Sequence, residues 1–144
     1  MIHVNSITAA LLNAMAGDGV LVSSGFTVQE GEVFNQDINM TPWVGIYYGH
    51  LDIDPHTLGG TRPWAGNLEL FVYVQQGSHR SGQEATRLLS MAQGAVLDVI
   101  DADKNLGGAV QRITGMEIAP FQRELEDDSW LFTNEITLKA AVRG

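Results

Sequence analysis

The 144-residue sequence predicts an α+β fold, with an antiparallel or mixed sheet of about four main strands and two helices packed on one face. Three observations carry this reading. Two segments, 2–16 and 84–100, repeat apolar residues at three- and four-residue steps, the period of a helix with one buried stripe. Two others, 67–76 and 130–142, alternate residue by residue, the period of a strand with two unlike faces. The order is helix, strands, helix, strands, with no repeated βαβ unit and no internal repeat. At this length, and with 44% hydrophobic residues to fill a core, residues 1–144 form a single domain.

Taken in order, Ile7, Leu11, Ala14 and Met15 make the stripe of the first helix, and Gly17-Asp18-Gly19 ends it. Val20-Leu21-Val22 and Phe26-Thr27-Val28 are expected as short strands broken by Gly25, and 29–41 as a polar loop. Pro42 to Gly49, with Trp43, Val44, Ile46, Tyr47 and Tyr48, is expected as a strand. Residues 50–66 form a long connection through Leu58-Gly59-Gly60-Thr61-Arg62-Pro63-Trp64. Next, Leu68, Leu70, Val72 and Val74 share one face of a strand, opposed by Glu69, Phe71, Tyr73 and Gln75.

Ser81 and Glu84 have the spacing of a capping box, in which each side chain satisfies a free N–H of the first helical turn. Behind them run Ala85, Leu88, Leu89, Ala92, Ala95, Val96, Val99 and Ile100, ended by Asn105 and Gly107-Gly108. A strand irregular around Gly115 is expected over 109–119, then an acidic turn at Glu126-Asp127-Asp128. In the last strand Trp130, Phe132, Ile136, Leu138 and Val142 share a face, with Asn134 the polar exception. The core is expected to be the 84–100 stripe on the inward faces of 67–76 and 130–142, burying Leu88, Leu89, Val96, Leu70, Val72, Ile136 and Leu138.

Composition excludes several functions. The net charge is −9, and none of the eight Lys and Arg residues are adjacent, so the clustered cations needed to grip phosphates are missing. Sequence-specific nucleic-acid binding and attachment to an anionic membrane surface are not expected. No apolar run approaches the ~18 residues of a membrane-spanning helix, and the N-terminus lacks the pattern of a signal peptide. With no cysteine there is no disulfide, thiolate ligand or cysteine nucleophile.

The most metal-like stretch is His50-Leu51-Asp52-Ile53-Asp54-Pro55-His56. In an extended chain His50, Asp52, Asp54 and His56 point one way, and imidazole with carboxylate suits zinc, manganese or iron. Alternate side chains on a flat strand stand ~6.6 Å apart, however, so four converge on one ion only if the chain bends. The favoured reading is a half-exposed strand continuing from Tyr48, with Leu51 and Ile53 inward. No metal is expected there, and the segment serves a subunit contact. Asp101-Ala102-Asp103-Lys104-Asn105 begins like a calcium loop. It then holds Leu106 and Arg112 where that loop needs glycine and a bidentate glutamate. His3 and His79 lack partners at a useful spacing, and no nucleophile elbow, phosphate loop or dinucleotide motif occurs. The expectation is a chain that is not an enzyme, has no catalytic residues and needs no cofactor. A small metal-dependent enzyme built on His50, Asp52, Asp54 and His56 is the alternative.

The layout as a whole resembles the tail terminator, or tail-completion, proteins of long-tailed bacteriophages. The resemblance runs through the N-terminal helix, the aromatic strand Pro42-Trp43-Val44-Gly45-Ile46-Tyr47-Tyr48 and the alternating strand Asn67–Val74. It continues through the amphipathic helix Glu84–Ile100 and the Asn105-Leu106-Gly107-Gly108 turn to two closing strands. It implies a structural virion protein of the tail and neck, assembled in the host bacterial cytoplasm. Such a protein forms a homohexameric ring that caps the head-proximal end of the tail tube and stops its growth. Its partners are the major tail tube protein and the head-tail connector, and DNA passes through the lumen without sequence-specific binding. Another neck, head-completion or minor tail protein is the alternative within virion assembly. In such a ring Leu58, Arg62, Pro63 and Trp64 are expected at the subunit interface. The loop is long, apolar groups gain by leaving water, and Arg62 can pair with an acidic neighbour. Six chains would carry about −54, a charge that repels DNA phosphates where it faces the lumen.

Overall fold

The structure, a computed structural model, describes residues 4–30, 42–60, 62–78, 82–124 and 130–144. Its elements are α1 (Val4–Ala16), α2 (Gly19–Ser23), β1 (Thr27–Glu30), β2 (Trp43–Ile53), β3 (Ala65–Ser78), α3 (Gly82–Ala102), β4 (Arg112–Glu124) and β5 (Trp130–Arg143). The strands form one mixed sheet in the order β1-β2-β3-β5-β4, in which only β1–β2 is parallel. This is the α+β class expected, with a short fifth strand at one edge. Ser81, His3, His79 and the acidic turn 126–128 lie outside the described residues.

The helices share one face of the sheet, α1 over β1 and β2, α3 over β3 and β5. The buried cluster joins Ile7, Leu11 and Met15 of α1 to Leu89, Ala92, Val96 and Ile100 of α3. Beneath them lie Val44 and Ile46, then Leu68, Leu70, Val72 and Val74, then Ile136, Leu138, Ala140 and Val142. In α1, α3, β3 and β5 these are the faces their periodicity singles out, because burial in water rewards whichever face is apolar, except that Ala14, expected in the α1 stripe, is exposed. Of the expected core only Leu88 is half-exposed; it packs against the cluster from its margin.

Two expectations are corrected. Val20-Leu21-Val22 is a helical turn. Asp18 Oδ1 accepts the N–H groups of Val20 and Leu21, both at 3.0 Å, and this cap outweighs the β-preference of two valines. The connection after the aromatic strand is also shorter than 50–66. β2 runs on to Ile53 and β3 begins at Ala65, with a 3-10 turn at Pro55–Thr57 between them. Past α3, Asn105 Oδ1 accepts from Gly108 N at 3.3 Å. Leu106, Gly107 and Gly108 there all hold positive φ, and the glycines make that path affordable. Leu106 bears the same conformation while its side chain is buried in the core.

Candidate functional site

Opposite the helices, the second face of the sheet changes character along its length. At one end Trp43, Gln75, Leu131 and Thr133 are buried, and Gln75 Nε2 donates to Thr133 Oγ1 at 3.3 Å. In the middle Tyr47, Tyr73 and Phe71 form an aromatic row, with ring centroids 6.1 and 6.2 Å apart for the Tyr47–Tyr73 and Phe71–Tyr73 pairs. At the far end stand His50, Asp52, Glu69, Lys139 and Arg143, all polar.

The metal-like stretch divides there. His50 and Asp52 are exposed on this face, while Leu51 and Ile53 turn half-buried toward the helices, the half-exposed strand expected. His50 Nδ1 lies 3.7 Å from Glu69 Oε1. Asp54 Oδ1 instead accepts from His56 N at 3.0 Å, so this carboxylate caps the 3-10 turn. Among the described residues no three His, Asp or Glu side chains gather closely enough to hold a metal. Asp101 belongs to an exposed pair with Lys104 at 3.4 Å.

The loop 54–64 is tied at its base. Asp54 N donates to Ala65 O at 2.9 Å, and Thr57 Oγ1 accepts from Ala65 N at 2.9 Å and donates to Asp54 O at 2.7 Å. Leu58 is 54% exposed at its tip, and Arg62 and Pro63 are exposed too. Trp64 differs from these three: its ring packs on the core of its own chain. It fills the space where a side chain on Gly144 would stand, and Gly144 N donates to Trp64 O at 2.8 Å. Three of the four expected interface residues thus stand free on one loop, and the fourth anchors it.

The sheet edges are what the sequence reading missed. β1 pairs β2 only from Trp43 to Ile46, so among the described residues no strand lies outside Tyr47–Ile53. On the opposite side β4 is outermost over Arg112–Glu124, and Pro120, with no N–H to donate, is at home in such an edge. α3 stops short of covering β4. Two open hollows of about 450 and 540 Å³ lie between them, floored in part by Pro120 and Gln122 and by Ile113 and Met116. Met116 and Phe121 are left exposed. One signal existed in the sequence: two tyrosines in succession, Tyr47-Tyr48, force one aromatic ring onto each face of the strand.

No family model matches the chain, and no curated protein sequence matches it. Among solved structures it is similar to a chain from the "virion of native gene transfer agent (GTA) particle", at 17% identity and a TM-score of 0.49, over 95% of this chain and 94% of that one. A likeness of that degree carries no functional assignment.

Proposed function

We propose that this chain is a structural virion protein of the tail-terminator kind. It closes as a ring, of six copies, on the head-proximal end of a phage tail tube, stops tube growth, and offers its other side to the head connector. The observation that carries this reading is the pair of sheet edges, on opposite sides of one protomer, that no strand covers among the described residues. A ring needs two different contact surfaces per copy, because each subunit meets its neighbours head to tail. The exposed loop with Leu58, Arg62 and Pro63 follows directly on the free part of β2, and extends that side of the protomer. The layout of the whole sequence, with its resemblance to tail terminators, supplies the tail end as the place of assembly. The net charge of −9 and the scattered cations suit a ring through which DNA slides without being held.

The role is structural rather than enzymatic, with no catalytic residue or cofactor assigned. The test is the double variant Leu58→Asp with Arg62→Ala, introduced into the genome that encodes the chain. Both side chains are exposed, so the variant folds. Electron micrographs are expected to show tubes of uncontrolled length, or tails not joined to heads. Particles with tails of normal length, joined to heads, from a strain lacking the chain altogether would overturn the reading.

A further inference from the structure

We infer that the free stretch of β2 and the first half of β4 are the two halves of one contact: β4 of one copy continues its sheet into β2 of a second copy. The inference rests on the self-assembly part of the function proposed above and not on the tail end as its location.

The cross-strand register shows how well the two edges match. Tyr48 stands opposite Leu70, Leu70 opposite Leu138, and Leu138 opposite Met116, so Tyr48 and Met116 end the same row on opposite sides of the sheet. In the same way Leu51 shares a row with Ile113, and Asp52 shares one with Arg112. When a second copy is set beside the first without sliding, each row continues into its own beginning. Met116 then meets Tyr48 of the second copy, two side chains 41% and 43% exposed in the single chain. Half-buried Ile113 meets half-buried Leu51, and Arg112 meets Asp52, an opposite charge. Directly opposed apolar pairs and opposite charges are the units that stabilise a sheet.

Polarity and spacing agree as well. β2, β3, β5 and β4 are joined by three antiparallel pairings, so β4 runs against β2 and would pair with a second β2 in antiparallel fashion. Each edge carries one irregularity, between Tyr48 and His50 in β2 and between Ile113 and Gly115 in β4, and the two flank the same row, that of His50, Glu69, Lys139 and Gly115. With the extra residues, Gly49 and Thr114, both strands have two residues between the Tyr48–Met116 row and the Leu51–Ile113 row, so these rows stay in step. The ladder has a natural end. From Ile46 on, the slot beside β2 is held by β1, so β4 must veer by one strand spacing, about 4.8 Å, beyond Glu117. Pro120 stands in that stretch, where the loss of an N–H costs nothing.

The chain has no cysteine, which makes the test clean. Asp52→Cys with Arg112→Cys, and separately Tyr48→Cys with Met116→Cys, place thiols at the two matched rows. Within one chain the paired positions are three strand spacings apart, about 14 Å, twice the ~7 Å reach of a disulfide, so every bridge joins two chains. Oxidation at high protein concentration traps transient contacts, so weak association still registers. The two rows lie an odd number of rows apart, so one of them is the close, non-hydrogen-bonded kind that disulfides favour. The expected result is a ladder of covalent dimers, trimers and higher species on a non-reducing gel, collapsing with reductant. Single-cysteine chains stop at dimers, and the mismatched pair Asp52→Cys with Glu117→Cys gives little ladder. Circular dichroism of the reduced variants confirms that these exposed substitutions leave the fold intact. Cross-linking by both matched pairs no greater than by the mismatched pair overturns the inference. A ladder from a chain whose loss leaves tails normal would keep the edge contact and remove the tail role, so the two readings fail separately.

Discussion

One strand, β2, passes through two environments. Trp43, Val44, Gly45 and Ile46 are all buried, whereas Tyr47 and Tyr48 are both exposed and from Gly49 to Ile53 half-buried residues alternate with exposed ones. The first part is apolar throughout, and the second keeps Tyr48, Leu51 and Ile53 on the helix side while carrying His50 and Asp52 on the other. They also differ in coverage: among the described residues the first part has β1 on one side, β3 on the other and α1 above, and the second has only β3 beside it. A strand is buried by its neighbours as well as by its own composition, and where no neighbour pairs it the backbone edge and the side chains beside it stay available.

The largest expected difference between the parts is in packing. Ile46→Ala leaves a hole in the cluster under α1 and should cost about 2–5 kcal/mol of unfolding free energy, as should Leu89→Ala in α3. Denaturant titration measures both, and a loss below ~0.5 kcal/mol would place either residue outside the core. An intermediate effect is expected at the junction. A methyl group on Gly49 would come within 2.8 Å of the Phe71 ring and 2.9 Å of Glu69 O, which is backbone and cannot swing away. Gly49→Ala should therefore cost about 1–3 kcal/mol, although the position lies on the open half, and its midpoint in urea should fall accordingly. Tyr48→Ala, on the exposed half, should change stability by no more than ~0.5 kcal/mol, while reducing association seen by sedimentation at high concentration. The smallest and sharpest effect is electrostatic. Arg112→Asp should leave the melting curve in place yet lower the yield of the Tyr48→Cys with Met116→Cys cross-link, and adding Asp52→Arg should restore it. Failure of the second change to rescue the first would separate Arg112 from Asp52.

The loop after β2 shows how a single residue type carries two roles. Leu58, Pro63 and Trp64 are all apolar members of one irregular segment, and nothing in their local pattern distinguishes them. The fold does so by bringing the chain's last residues beside Trp64. Gly144 leaves room for the indole and binds its backbone carbonyl, so this ring closes the core while Leu58 remains in water. Replacing Trp64 would therefore test the fold, whereas Leu58 and Arg62 test the surface.

The sequence by itself determined the elements whose signal is local and repeated. The stripes of α1 and α3 and the alternation of β3 and β5 each depend only on residues a few positions apart, and the inward faces they predict are the faces that are buried. It also determined that His50 and Asp52 would stand outward while Leu51 and Ile53 turned in, since alternation is a property of any extended chain. Short segments were less secure: at Val20–Val22 a single aspartate cap overrode the propensity of the residues themselves. Only the tertiary structure decided which strands lie at the edges, that β1 stops at Ile46, and that Arg112, Ile113 and Met116 end the same rows as Asp52, Leu51 and Tyr48. Strand order and register are set by pairings between residues far apart in the chain, so no local period records them.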